Sequence, residues 1–188
     1  MELKIINEHL SIGLLNLNEY SARQGISGKR EIEKSGTKHI LERMCGETGE
    51  LEYDVNNKPH LKNRIEHISI SHSHDYLALA LNKTEETGID IELIRDKVRD
   101  VRHKFLNETE KKLAGSDTEK LITYWAAKEA LYKAHGKKGV DFSKHILVNE
   151  TNREIFEGRI EKENIKKRYL LRKEKIGNYI LVYTLEHI

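Results

Sequence analysis

The sequence predicts an α+β protein built in two halves, on three observations. Between Lys29 and Glu47 apolar residues recur at helical spacing, whereas the segments around it and the end of the chain alternate apolar and polar residues as strands do. A second helix signal, opened by Asp117, lies between two groups of strand signals. The length, 188 residues, exceeds what a minimal core needs and falls short of two large domains. With no internal repeat and no low-complexity tract, the expectation is a single domain over 1–188, with halves of about 1–100 and 101–188.

The elements follow in order. Met1 to Leu17 is apolar but broken by Glu2, Lys4, Asn7, Glu8 and His9, and reads as one or two strands. In the first helix Ile32, Ile40, Leu41 and Met44 would be buried, with Arg30, Lys34 and Lys38 about half a turn away. Leu51 to Val55 reads as a strand, Asn56-Asn57 as a turn and Lys58-Pro59 as an extended exit, because Asn tolerates the left-handed region and Pro fixes φ. His67 to His72 and Tyr76 to Leu81 alternate on either side of Ser73-His74-Asp75 and predict a hairpin. Thr84 to Gly88 is a polar turn into a third strand, Ile89 to Glu92. Asn107 caps a short helix, Glu108 to Leu113, and Asp117 caps one that runs to Ala134 and stops near Gly136. Ile146 to Val148, Arg168 to Arg172 and Tyr179 to Leu185, with a turn at Gly177-Asn178, predict a small antiparallel sheet.

Composition narrows the function. Lys and Arg total 33 against 31 Asp and Glu, and a net charge of +2 gives no support to wholesale binding of nucleic acid or membrane. A non-enzymatic nucleic-acid module would rest on the run Lys162 to Lys175, which Glu161, Glu163 and Glu174 dilute and where only Tyr169 offers a stacking ring. Cys45 is the single cysteine, and with no secretory leader the expected compartment is the cytoplasm. The broken N-terminal run is no membrane span.

Three fragments carry chemistry. In Gly88-Ile89-Asp90-Ile91-Glu92 a strand points both acids to one face and both isoleucines to the other. Carboxylates that close repel unless a cation or strong donors lie between them, so the pair reads either as a hard-cation site or as an ordinary acidic edge strand. In the helix from Trp125 to Lys133, Trp125, Glu129 and Lys133 stand four apart on one face. Glu129 beside Asp90 and Glu92 would complete a magnesium site, with Lys133 near a phosphate oxygen; alone, Glu129 and Lys133 read as a surface pair. In Ser69-Ile70-Ser71-His72-Ser73-His74-Asp75 the hydroxyls and His72 can donate to phosphate or simply end a strand, and a zinc site at His72 and His74 lacks further ligands.

Together the fragments resemble the phosphopantetheinyl transferase superfamily, specifically its longer single-chain members of the surfactin-synthetase-activating type. The likeness rests on Lys58-Pro59, Ile70-Ser71-His72-Ser73, Gly88 to Glu92, Phe105-Leu106 with Glu108 and Glu110, and Trp125 to Lys133. It implies a fold of two similar α/β halves related by a pseudo-twofold, with a nucleotide held between them. It implies an enzyme of the holo-[acyl-carrier-protein] synthase type, which moves 4'-phosphopantetheine from coenzyme A to a serine of an acyl or peptidyl carrier protein. Asp90, Glu92 and Glu129 would ligate Mg²⁺, with Mn²⁺ equally suited to oxygen ligands. Glu129 would also help deprotonate the serine, and Lys133 would neutralise the diphosphate as 3',5'-ADP leaves. Lys58, Ser71 and His72 would hold the nucleotide phosphates. Apart from the resemblance, the basic face of the first helix, Lys29, Arg30 and Lys38, reads either as a second candidate for the nucleotide end or as a solvated face. The expected partners are a carrier protein and coenzyme A, with the chain a monomer. An inactive relative acting as a scaffold is the alternative. Ser69, Asn57 and the loop Gly136 to Val140 depart from the family pattern, and no motif is matched from about Ile146 onward.

Overall fold

β1 (Glu2–Ile5) and β2 (Leu10–Asn16) are the strands into which the broken N-terminal run resolves, in a computed structural model that describes residues 1–46 and 49–188. α1 (Leu17–Gln24) follows; with eight residues and only Leu17 and Tyr20 buried, it is too short to set up a helical period, which hid it from the sequence pattern. Asn16 caps it by accepting from the Glu19 N–H, and Gly25, at φ 66°, ends it. α2 (Lys29–Cys45) is the expected first helix; Glu47, where that helix was expected to end, lies outside the described residues. β3 (Leu51–Tyr53), β4 (Pro59–Leu61), β5 (His67–Ser73) and β6 (Tyr76–Asn82) complete a six-stranded antiparallel sheet of order β1-β2-β6-β5-β4-β3. Asn57 takes φ 64° in the β3–β4 turn, and Ser73 pairs with Tyr76, so the hairpin loop is only His74-Asp75. Ile40 and Leu41 of α2 pack with Leu15, Ile68 and Leu79 to form this unit's core.

The chain divides into two compact units at Thr87/Gly88, rather than near residue 100. The reason is β7 (Ile89–Leu93): it pairs with β11 and belongs to the second sheet, not beside the hairpin that precedes it. After β7 come the single turn α3 (Val98–Val101), a 3₁₀ turn over Arg102–Lys104, α4 (Glu108–Ala114) and α5 (Thr118–His135). Asn107 and Glu110 form a reciprocal capping box on α4, Asp117 caps α5, and Gly136 ends it at φ 68°. β8 (Ile146–Glu150), β9 (Ile155–Lys162), β10 (Ile165–Ile176) and β11 (Tyr179–His187) complete a five-stranded antiparallel sheet of order β7-β11-β10-β9-β8.

β9 escaped the sequence reading because its inward positions are Phe156, Gly158 and Ile160, and the glycine erases the middle of the alternation. A Cβ there would lie 2.6 Å from Leu131 Cδ1, so the helix occupies the space a side chain would need. Both units share one connectivity: a strand (β2 or β7), a helical segment, then a four-strand meander whose last strand returns antiparallel to the first. Among the described residues no helix is long and apolar enough to cross a membrane.

Candidate functional site

Alternation along β7 sets the acids apart from the isoleucines. Asp90 pairs with Val182 and Glu92 with Ile180, and these β11 residues belong to the core that α5 covers, so both acids lie on the helix side. Helix and strand come unusually close. A Cβ on Gly88 would stand 1.8 Å from the Ala130 carbonyl oxygen, and Ala126, Ala127, Ala130 and Ala134 present only methyl groups at 0 % exposure. The glycine of Gly-Ile-Asp-Ile-Glu thereby lets the Glu129 turn of α5 settle against β7.

Trp125, Glu129 and Lys133 run along that side of α5. The Lys133 ammonium donates to Asp90 Oδ1 at 2.7 Å and to the Ile89 carbonyl at 3.1 Å. The Trp125 indole donates to Glu92 Oε1 at 3.0 Å. The Glu129 carboxyl is pushed up to about 7, first by desolvation and then by the Asp90 charge, against the pull of Lys133 and with a further push from Glu92. A buried carboxyl beside two other acids and one lysine is a strained arrangement of charge, relieved either by a proton or by a hard cation. Among the described residues no three His, Cys, Asp or Glu side chains are gathered to hold a metal unaided. The donor set nevertheless fits a hard cation: it is all carboxylate oxygen, and the raised Glu129 marks a deficit of positive charge at that point.

Other residues of the helical motif have structural partners that the sequence did not reveal. Lys128 is fully buried, and its ammonium donates to Glu110 Oε2 at 2.6 Å, the Phe142 carbonyl at 2.8 Å and the Ile146 carbonyl at 2.6 Å. Glu110, 2 % exposed, also accepts from the Asn107 N–H at 2.9 Å and the Val148 N–H at 3.0 Å. Desolvation holds the Lys128 pKa below the ordinary lysine value, opposed by Glu110. The signal available in the sequence was a lysine on the helix side flanked by alanines, with Asn107 three residues before Glu110.

In the first unit, Ile70 and His72 face α2 while Ser71 alternates to the other face of β5, where it is buried. Arg30, Lys34, Lys38 and His72 line a cleft of 1130 Å³ that also takes in Glu33, Lys62 and Arg64. His72 Nδ1 lies 3.3 Å from Glu33 Oε1, and Lys29 reaches the same carboxylate at 3.8 Å from outside the cleft lining. Lys58, in the β3–β4 turn, is ion-paired with Glu86. His74, at φ 48°, is in the hairpin loop, beyond the end of β5 at Ser73, so it does not share a strand face with His72. The structure therefore brings Arg30, Lys38 and His72 to one cleft and places Ser71 away from it.

No curated protein matches the chain. The family described as the 4'-phosphopantetheinyl transferase superfamily matches residues 86–184, from just before β7 into β11 and over half of the sequence.

Proposed function

Because the chain belongs to the 4'-phosphopantetheinyl transferase superfamily, we propose that it moves 4'-phosphopantetheine from coenzyme A to a serine hydroxyl of an apo acyl or peptidyl carrier protein, as a single-chain holo-[acyl-carrier-protein] synthase. The observation that supports this reading best is the carboxyl of Glu129, raised to about 7 beside Asp90, with Lys133 donating to Asp90 at 2.7 Å. That is the equipment of phosphoryl transfer, in which positioning and charge neutralisation supply most of the catalysis.

In the proposed reaction the serine oxygen attacks the phosphorus that carries pantetheine. A new P–O bond forms, the bond to the bridging oxygen breaks, and 3',5'-ADP leaves. The serine proton passes to a carboxylate oxygen of Glu129, directly or through water. Lys133 exchanges part of its bond with Asp90 for an oxygen of the diphosphate. Asp90, Glu92 and Glu129 would hold Mg²⁺ or Mn²⁺, with oxygens of the substrate as further ligands. When bound, that ion supplies the charge neutralisation a diphosphate requires. Arg30, Lys38 and His72, with Lys29 beside their cleft, are proposed to bind one phosphate of the nucleotide, and Lys58 and Ser71, which lie outside that cleft, to bind phosphate oxygens elsewhere on the nucleotide.

The test is the intact mass of a panel of purified apo carrier proteins incubated with the chain, coenzyme A and Mg²⁺, with an EDTA control. A metal-dependent gain of one phosphopantetheine group, about 340 Da from its chemistry, is the expected result. Coenzyme A binding with no gain on any carrier would mean an inactive relative. Absence of both would overturn the reading.

A further inference from the structure

Replacing a buried ion pair by apolar residues of similar volume is often neutral or stabilising, so stability alone does not account for Lys128 and Glu110. Their bonds lead toward the acidic cluster. The Phe142 carbonyl that accepts from Lys128 fixes a residue whose ring stacks on Trp125, with centroids 5.6 Å apart and planes at 25°. The same ring contacts Tyr132 at 5.4 Å, so it lies along α5 on either side of Glu129 in the sequence. Phe105 meets the Trp125 indole edge-on at 5.2 Å. Held by both rings, the indole aims its N–H at Glu92 Oε1.

We propose that the buried Lys128–Glu110 pair is a positioning device for the Glu92 carboxylate, acting through Phe142 and Trp125. The inference rests on the reading of Glu92 as a cation ligand. Lys128 anchors the Phe142 backbone, Phe142 limits the indole to one orientation, and the indole N–H limits the carboxylate to one rotamer. A ligand fixed in advance loses less freedom when the ion arrives, which is how groups behind the ligands of metal sites raise affinity.

Trp125 is the chain's single tryptophan, so its emission reports on this site alone. The experiment titrates Mn²⁺ into the full chain without coenzyme A while following Trp125 emission. It compares the wild type with Phe142→Leu and with the double variant Lys128→Met, Glu110→Leu, and records thermal unfolding and transfer for each. Wild type is expected to show saturable quenching. Phe142→Leu keeps the carbonyl that Lys128 needs and is expected to unfold cooperatively, with half-saturation about tenfold weaker and transfer recovered at saturating Mn²⁺. The double variant, which leaves no buried charge unpaired, is expected to weaken Mn²⁺ similarly. Wild-type half-saturation in either variant, with or without a change in melting temperature, overturns the proposal, because a merely structural pair would move stability and leave metal affinity in place. If the double variant fails to fold, Phe142→Leu still decides. A wild type that transfers phosphopantetheine but shows no saturable Mn²⁺ response at Trp125 also overturns it. A wild type with neither response nor transfer overturns the functional reading beneath it, and the missing transfer tells the two failures apart.

Discussion

In the first unit α2 meets its sheet with Ile40 and Leu41; in the second, the helix at the same point of the connectivity, α5, meets β7 with alanines and β9 with Leu131 while carrying Lys128, Glu129 and Lys133. An apolar stripe is enough to build this unit, as Met1–Thr87 demonstrates. On α5, Lys128 is part of the buried packing, whereas Glu129 and Lys133 face the acids of β7. Glu129 in particular is held in an environment that disfavours its charge. The first unit's helix packs on one face and lines a cleft with a basic row on the other, whereas α5 sets Lys133 directly against Asp90 of β7.

The largest effect that could break this contrast is on transfer. Glu129→Gln and Asp90→Asn are each expected to lower the transfer rate by about 10²–10⁴ while thermal unfolding stays cooperative and close to wild type. Unfolding of Glu129→Gln under conditions where the wild type is folded would put Glu129 in the same class as Ile40, a packing residue, and erase the distinction.

Glycine contacts give the next largest effect. Gly13 on β2 would place a Cβ 2.4 Å from the Ile40 Cγ2 methyl, on the branch of a fully buried side chain that is stiff at χ1, so relief there needs a small shift of Ile40 and its neighbours. Gly88 would place one 1.8 Å from the backbone oxygen of Ala130, which cannot move without the helix. Gly88→Ala should therefore cost about 3 kcal/mol, the upper part of the overpacking range, and Gly13→Ala, which meets side chains only, about 2 kcal/mol. Denaturant midpoints check this, and equal losses would mean that α5 sits no more tightly on its strand than α2 does.

Much of this contrast was legible in the sequence, for a physical reason. Periodicity records which faces are buried, and the alternation around Ile89 and Ile91 and the four-residue spacing of Trp125, Glu129 and Lys133 survive in the structure as shared faces. What stayed hidden were cases where one residue does a job that leaves no pattern. Gly158 interrupts β9 because Leu131 fills its place, and α1 buries only Leu17 and Tyr20, too few positions to show a helical period. Glu110 and Lys128 are far apart in sequence and look like surface charges until the fold buries both. Membership of β7 in the second sheet was equally out of reach, since register with β11 depends on a strand more than eighty residues later.

A smaller effect concerns pH. Glu129 holds its proton more tightly in the folded chain, at about 7, than at its ordinary value of 4.5. A group raised in the native state contributes stability that is whole below the unfolded value and is lost as pH rises through the folded one. Wild type should accordingly lose stability relative to Glu129→Gln between about pH 5 and pH 8 in EDTA, and Mg²⁺ should restore part of it. Urea midpoints of both proteins across that interval test this; a constant difference would show that Glu129 is neither desolvated nor coupled to Asp90.

The smallest expected effect concerns the first unit's cleft and sharpens the comparison from the other side. Arg30 and Lys38 line it, and the Lys38 side chain is 79 % exposed, so each contributes a screened, mobile charge. Arg30→Ala and Lys38→Ala are each expected to raise KM for coenzyme A by roughly threefold to fivefold, the range of an exposed ion pair, with kcat unchanged. Raising the salt concentration should shrink the difference from wild type, because those charges act through solvent. Glu33 complicates the same cleft, since His72 and Lys29 already lie near its carboxylate. Glu33→Gln should then lower KM slightly by freeing the Lys29 ammonium and the His72 ring for phosphate. A fall in kcat in any of these variants would mean that the first unit takes part in the chemical step, and the division of labour between two units of one connectivity would have to be redrawn.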